Sequence, residues 1–503
     1  ALPAPARIID ETVVGASLGE DNIRTGMMSF AVALLLVMVY MALYYARAGW
    51  VADLALLVNL FVLIGSLASL QAALTLPGIA GIVLTMGMAV DANVLIYERI
   101  REELRAGKMM KSAVDLGYKG ALSAIIDSNV TTLIVAVILL IFGSGPVQGF
   151  AATLGLGILT SLFTALFLAR LIITGRLDAG KSFEVWNNWS KDIFVNARYE
   201  FMNKRKMFYV VSAIVIAIGL GSMFTQGFNW GVDFSGGRTY VVKFKEDVRV
   251  DDVRSALEPR FVDDAGVKST VNVKTYGGAR QVKITTNYLF NETGTATDEK
   301  VDGRLNEGLA TLNNAYDITE SRKVDATISD DIKTNAVTSF TIALALIFLY
   351  IAVRFRDWRY GMAGLLSLLH DALVVLGLYS LLYKVMPFSL EIDEAFIAAI
   401  LTVIGYSIND TVVVFDRIRE YVRDHKRDEF GVVVNKAINS TLGRTMNTSL
   451  TTLLVLFVIF LFGGVAIKGF VFALLIGILV GTYSSVFVAG AIVVDLHKKE
   501  PKA

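Results

Sequence analysis

Residues 87–103 read GMAVDANVLIYERIREE, and residues 405–421 read GYSINDTVVVFDRIREY. Each is an apolar run that leaves through an Arg-Ile-Arg-Glu exit, and each carries an aspartate well inside its apolar part. The two align without gaps at an offset of 318, with six identities in 17 residues. The similarity continues downstream, where VTTLIVAVILLIFGSGPVQGF (130–150) matches LTTLLVLFVIFLFGGVAIKGF (450–470) at an offset of 320. Residues 27–174 and 336–494 therefore read as two copies of one five-span unit, a repeat that places the working site at the interface of the copies.

Composition sets the medium. Of 503 residues 54% are hydrophobic and 18% charged, and the mean hydropathy is +0.58. Such a chain is a polytopic helical membrane protein. Eleven apolar segments suffice to cross a bilayer, near 27–46, 52–75, 77–97, 120–142, 148–173, 207–226, 336–353, 360–382, 395–415, 445–462 and 467–494. There is no cysteine, which excludes disulfides, thiolate metal sites and cysteine nucleophiles. Three scattered histidines form no HExxH motif, and no nucleotide loop is present, so neither metal nor cofactor is expected. GVDFSGGRT (231–239) lacks the lysine and the glycine spacing of a phosphate loop and reads as a turn into a strand. A net charge of +1 makes no case for nucleic acid.

Charge distribution predicts the topology. Lys and Arg concentrate in 98–119, 174–206, 354–359 and 416–444, with Arg47 and the tail on the same side when the spans alternate. The positive-inside rule then places Ala1 outside and Ala503 in the cytoplasm. An outside start with no secretion signal implies that at least one span precedes this chain. The long polar insertion at 229–332 lies outside. Its order of strand, helix, hairpin, helix and strand predicts a ferredoxin-like α+β domain.

Asp91 lies seven residues before Glu98, and Asp410 six before Asp416, roughly 10 Å below the helix exit. An acid at that depth is costly facing lipid and belongs in the bundle interior, where it suits a proton relay. Asp91 aligns with Asn409 and Asp410 with Ala92, so the second acid is turned by about 100° on its helix. Asn93 and Thr411 follow at the third position, within reach of hydrogen bonds to the site. Arg444, whose counterpart is Ala124, opens the next span and can reach down toward an acid. Asp127, aligned with Asn447, is a third intramembrane acid and reads as a tie between spans. His370-Asp371, inside LLSLLHDALVV, reads as a relay pair or, in preference, as a satisfied packing pair.

At these residues the chain resembles the SecD/SecF family, with both parts fused. VGASLGEDNIRTG, GMAVDANVLIYERIREE and DSNVTTLIVAVILLIFGSGPVQGFA carry the SecD likeness. GVDFSGGRTYVV, YIAVRFRDWRYGMAGLLSLLHD and GYSINDTVVVFDRIRE carry the SecF likeness. The resemblance implies a fold of the resistance–nodulation–division type, with two parallel pseudo-symmetric repeats, in the bacterial inner membrane. It implies 1–26 as the remnant of a large extracytoplasmic domain, 27–174 as the SecD-like repeat and 175–206 as a cytoplasmic linker. It further implies 207–228 as the first SecF-like span, 229–332 as the outside domain, 333–494 as the SecF-like repeat and 495–503 as a tail. It implies assistance to protein export, driven by the proton gradient, with Asp91, Asp410 and Arg444 as the proton-linked site. The partners it implies are the SecYEG channel, the preprotein, YidC, YajC, protons and membrane lipids. VDATISDD before the seventh span departs from the family's Val-Gly-Pro pattern.

Two rivals bear comparison. A proton-coupled exporter of small molecules or lipids from the same superfamily usually carries two large outside domains, whereas the insertion here spans about 100 residues. An intramembrane aspartyl protease also needs two acids, but Asp91 follows Ala89-Val90 and Asp410 follows Ile408-Asn409, so its G-x-G-D signature is missing.

Overall fold

The structure, a computed structural model, describes residues 10–72, 75–195, 197–262, 268–290, 292 and 294–498. Strand β1 (Asp10–Val14) leads into α1 (Ala16–Tyr45), α2 (Arg47–Ser69), α3 (Leu76–Ala89), α4 (Asp91–Arg105) and α5 (Met110–Phe142). Helix α6 (Gly145–Phe163) passes through a π-turn, Thr164–Leu168, into α7 (Ala169–Asp178). After α8 (Arg205–Gln226) and the single turn α9 (Val232–Ser235) come β2 (Gly237–Phe244), α10 (Val250–Leu257), β3 (Val271–Gly278), β4 (Gln281–Thr286), α11 (Thr295–Ala310) and β5 (Tyr316–Val324). The second half is α12 (Ala326–Phe355), α13 (Trp358–Leu382), α14 (Glu394–Asp424), α15 (Phe430–Phe462) and α16 (Val465–Ser484), with a π-turn, Ser485–Ala489, into α17 (Gly490–Lys498). Among the described residues eleven helices are long and apolar enough to cross a membrane.

The two quoted stretches form the centre. The apolar window of α3–α4 is 89% buried and that of α14 is 94% buried, against 11% for peripheral α8. Around them the halves interlock: α5 packs on α14, α15 on α3, α1 on α15 and α12 on α5. Lipid gives no hydrophobic reward for bringing apolar helices together, so close approach of small residues matters. Gly87 and Gly405, the first residues of the two stretches, supply it. A Cβ on Gly87 would lie 3.0 Å from Thr452 Cα, and one on Gly405 3.4 Å from Thr132 Cα. Each glycine thus meets the threonine of the opposite half, and the two threonines are themselves repeat equivalents.

Several expected boundaries move. Helix α1 starts at Ala16 and α12 at Ala326, about ten residues before their apolar runs, because polar turns continue the helix beyond any hydrocarbon. Helices α5 and α15 likewise begin in the basic loops, at Met110 and Phe430. Asp10–Val14, expected as part of a remnant, pairs with β5; residues 1–9 and 499–503 lie outside the described residues. The segment after α7 is folded against the bundle, where Tyr199 N donates to Asn439 Oδ1 and Tyr199 O accepts from the side-chain amides of Asn435 and Asn439.

The insertion is the expected split βαβ domain, with sheet order β1-β5-β2-β4-β3 and all pairs antiparallel. Alternate residues of β4, Val282 and Ile284, enter its core beside Val242, Leu257 and Leu305. Gly237 starts β2 at φ +120, where a Cβ would lie 2.4 Å from Thr286 O, so this turn accepts only glycine. The domain rests on the start of α14. Gly231 N donates to Ile392 O at 2.9 Å and Ile392 N to Asn229 O at 2.8 Å. Lys283 meets Glu391 at 2.5 Å, Arg322 meets Asp233 at 2.9 Å, and Glu394 N donates to Asp233 Oδ2 at 2.9 Å.

Asp393 caps α14, accepting from Phe396 N at 2.7 Å. Burial, and then the neighbouring Asp233, push its carboxyl from 3.8 up to about 7. Burial also raises Glu320. Against its burial, Lys283 by contrast holds Glu391 below its usual range, so Glu391 and Asp393 act in opposite directions, and the Asp393 contribution to docking is the one lost as pH rises from about 4 to about 7. With no native cysteine, spin labels at Ala315→Cys and Val385→Cys report this directly. Their distance distribution should broaden between pH 5 and 7, a change that Asp393→Asn should greatly reduce.

Candidate functional site

Asp91 sits where α3 runs on into α4, with Val90 between them keeping helical angles, φ −82 and ψ −19, and accepting from Val94 N at 2.9 Å. Its counterpart α14 runs from Glu394 to Asp424. Asp91 is 7% exposed and accepts from Asn409 Nδ2 at 3.0 Å, so the repeat-equivalent pair of residues meets across the interface. Asp410, one residue further along α14, is 2% exposed and faces α15. It accepts from Ser449 at 3.3 Å and Thr448 at 3.5 Å, and lies 3.6 Å from Arg444 Nη2. Arg444 is 5% exposed, and among the described residues none of its guanidinium nitrogens makes a hydrogen bond. It is within electrostatic range of Asp91 as well. Two acids, one amide and one cation thus converge between the halves.

The other expected polar residues divide into those near this group and those elsewhere. Asn93 sits two residues beyond Asp91, about half a turn round α4, and donates to Ala89 O at 3.5 Å. Thr411 points the other way, to Ser407 O at 3.1 Å and Ser485 at 2.8 Å in the second π-turn. Asn447 accepts from Tyr40 at 2.6 Å and donates to Tyr45 at 3.1 Å, both on α1. Asp127, its repeat equivalent, accepts from Tyr350 at 2.9 Å and pairs with Arg354 at 2.7 Å, both on α12. Each of these two residues fastens its helix to the first helix of the opposite half. His370 and Asp371 are held at 2.9 Å within a network that takes in Ser212, Ser407 and Ser484.

Sequence reasoning passed over the charges of the two exits. Arg99 meets Glu420 at 2.6 Å and Arg417 meets Glu102 at 2.8 Å, while each arginine also pairs within its own helix at 2.8 Å. Arg99 and Arg417, like Glu102 and Glu420, differ by 318 in number, so the quartet is two-fold symmetric. The identical Arg-Ile-Arg-Glu exits were the available signal; they read as a membrane flank because their partner lies in the other copy. A cavity of about 740 Å³ opens beside the quartet on the face of the basic loops, and Arg444 is among its lining residues. A much smaller one, about 40 Å³, reaches Ser144 and Glu394 near the small domain. Glu394 accepts from both Ser144 N and Ser144 Oγ at 2.7 Å.

A profile of the family described as "Protein export membrane protein SecD/SecF, C-terminal" matches residues 3–176 and 305–499. A second, the "SecD/SecF GG Motif", matches 221–248, around the glycine turn at Gly236-Gly237. The chain belongs to the SecD/SecF family. It is 35% identical to the protein translocase subunit SecDF of Brucella abortus biovar 1 (strain 9-941), matching 99% of this chain and 64% of that one. It is 33% identical to SecDF of Bacillus subtilis (strain 168), matching 98% and 66%. The chain thus spans slightly under two thirds of these relatives. Its fold is similar to the crystal structure of SecDF, a translocon-associated membrane protein from Thermus thermophilus, with a TM-score of 0.88 at 35% identity over 99% of this chain and 66% of that one. Similarity to SecDF in its super-membrane-facing form gives 0.75 at 35% identity, over 97% and 64%.

The tie between halves at Asp127 is open to measurement. Asp127→Asn keeps the shape but removes the charge that Arg354 faces, and should cost about 1.5–3 kcal/mol in unfolding free energy. Adding Arg354→Gln should cost less than the sum of the two single changes.

Proposed function

We propose that this SecD/SecF chain is the membrane motor of an accessory to Sec-dependent protein export, driven by protons flowing inward. The convergence of Asp91, Asn409, Asp410 and Arg444 between the halves carries the reading. In this proposal the basic loops face the cytoplasm of a bacterial inner membrane, and the small domain lies outside. The SecYEG channel and the emerging preprotein are the partners, with YidC, YajC and membrane lipids around them.

Arg444 lies within range of both acids, and removing one proton from a singly protonated pair changes the charge it faces from one carboxylate to two. A buried guanidinium favours the arrangement that keeps a counter-charge beside it. Asp410 belongs to α14, a single helix whose outer end carries the small domain through Ile392, Glu391 and Asp233. A shift of α14 on protonation is thereby passed to the domain. Its inner end is held to the first half by the Arg99–Glu420 and Arg417–Glu102 pairs. Those pairs border the cavity that leads toward Arg444, which suits a proton exit to the cytoplasm.

The test is preprotein import into inverted membrane vesicles containing the complete protein. Asp91→Asn and Asp410→Asn should each abolish the part of transport that responds to the proton gradient and leave the remainder. Gradient dependence that survives in both variants excludes the proposal.

A further inference from the structure

The repeat that relates Asp91 to Asn409 also relates Asp53 of α2 to Asp371 of α13, again at an offset of 318. Asp371 is fully buried and its carboxylate has three polar neighbours. His370 Nδ1 lies at 2.9 Å, and the hydroxyls of Ser407 and Ser484 donate at 2.5 and 2.8 Å. The equivalent positions in the first half, at offsets of 318 and 320, are Ala52, Ala89 and Thr164. Two of these have no polar side-chain atom. Thr164 turns its hydroxyl onto its own helix, to Ser161 O at 3.2 Å. Asp53 is 2% exposed, and among the described residues neither carboxylate oxygen has a hydrogen-bond partner.

The groups around it are few. Tyr97 of α4 is within electrostatic range of both Asp53 and Tyr118 of α5, and both phenol hydroxyls are buried and unpartnered. Helices α3 and α6, which also pack on α2, bring no ionisable side chain. Helix α1 brings Tyr45, whose hydroxyl donates to Glu98 at 3.0 Å. Helix α7 brings Arg170, which lies 5.2 Å from the Tyr118 ring centre and 3.6 Å from half-exposed Asp115.

A bare carboxylate in such a place has no counter-charge and no donor, a state that is costly inside a membrane; the acid with its proton is neutral. We infer that Asp53 is a proton-binding acid of the first half, taking up and releasing a proton beside Tyr97 and Tyr118, while Asp371 is held as a structural group. The step is a proton transfer alone, between the carboxylate and water. Tyr97 lies six residues along α4 from Asp91, so the helix that bears the central acid also borders this one. The inference rests on the proton-driven reading above and extends it to a second acid.

Infrared spectroscopy of the full chain in lipid, with exchange into heavy water, reads protonated carboxyl groups without any transport assay. At neutral pH, Asp53→Asn should remove one deuterium-shifted carboxylic acid band that Asp371→Asn leaves in place. The thermal midpoint should hold or rise in Asp53→Asn, which loses no partner, and fall in Asp371→Asn, which disturbs three. A band that survives Asp53→Asn overturns the inference, as does an equal fall in midpoint for the two variants. Failure of the proton-driven reading shows separately, as gradient-dependent transport retained by Asp91→Asn.

Discussion

A charge placed in an apolar bundle must be met by another part of the same bundle, and much of this structure follows from that requirement. Asp91 is met by Asn409, Asp127 by Arg354, and Glu394 by Ser144, and in each case the partner belongs to the opposite half. These contacts lie at the middle of the bundle, toward the basic face and near the small domain. Apolar helices gain little from leaving lipid for one another, so polar contacts and the close approach of Gly87 and Gly405 hold the halves in register. The proposed working parts and the structural fastenings are thus the same kind of interaction, placed at different depths.

Symmetry is kept where the halves only need to be fastened and broken where chemistry is proposed. The Arg99–Glu420 and Arg417–Glu102 pairs obey the two-fold relation, as do Gly87 against Thr452 and Gly405 against Thr132. At the centre the relation fails in two ways. Asp410 is displaced one residue from Asp91's equivalent, and only the second half supplies an arginine. The same contrast recurs at Asp53 and Asp371, one without donors and the other surrounded by them. A symmetric pair of sites would give a proton no preferred order of visits.

Much of this was readable in the residues themselves. Hydropathy and period located eleven spans because the bilayer demands about twenty apolar residues from each. Alternation of Val282 and Ile284 and the glycine turn placed the small domain's strands, since side-chain direction in a strand is local. Asp91, Asp410 and Arg444 stood out because a charge in an apolar run is rare for an energetic reason. Helix starts such as Ala16 and Ala326 did not stand out, because a polar turn outside the membrane costs a helix nothing. Nor did the pairing of β1 with β5, which joins residues about 310 apart.

The sequence alone determined that this is a duplicated membrane protein with a small α+β domain, and that Asp91, Asp127, Asp371 and Asp410 lie deep in it, though Asp53 went unread. Those properties depend on hydrophobicity, spacing and repetition, all of which act along the chain. Only the tertiary structure decided which groups meet: that Asn409 faces Asp91 while Thr411 turns to Ser485, that Asn447 bonds to Tyr40 and Tyr45 of α1, and that Asp53 has no donor among the described residues. Those outcomes depend on how two helices rotate against each other. A rotation of one residue is about 100°, enough to move a side chain from one neighbour to another while the sequence pattern stays the same.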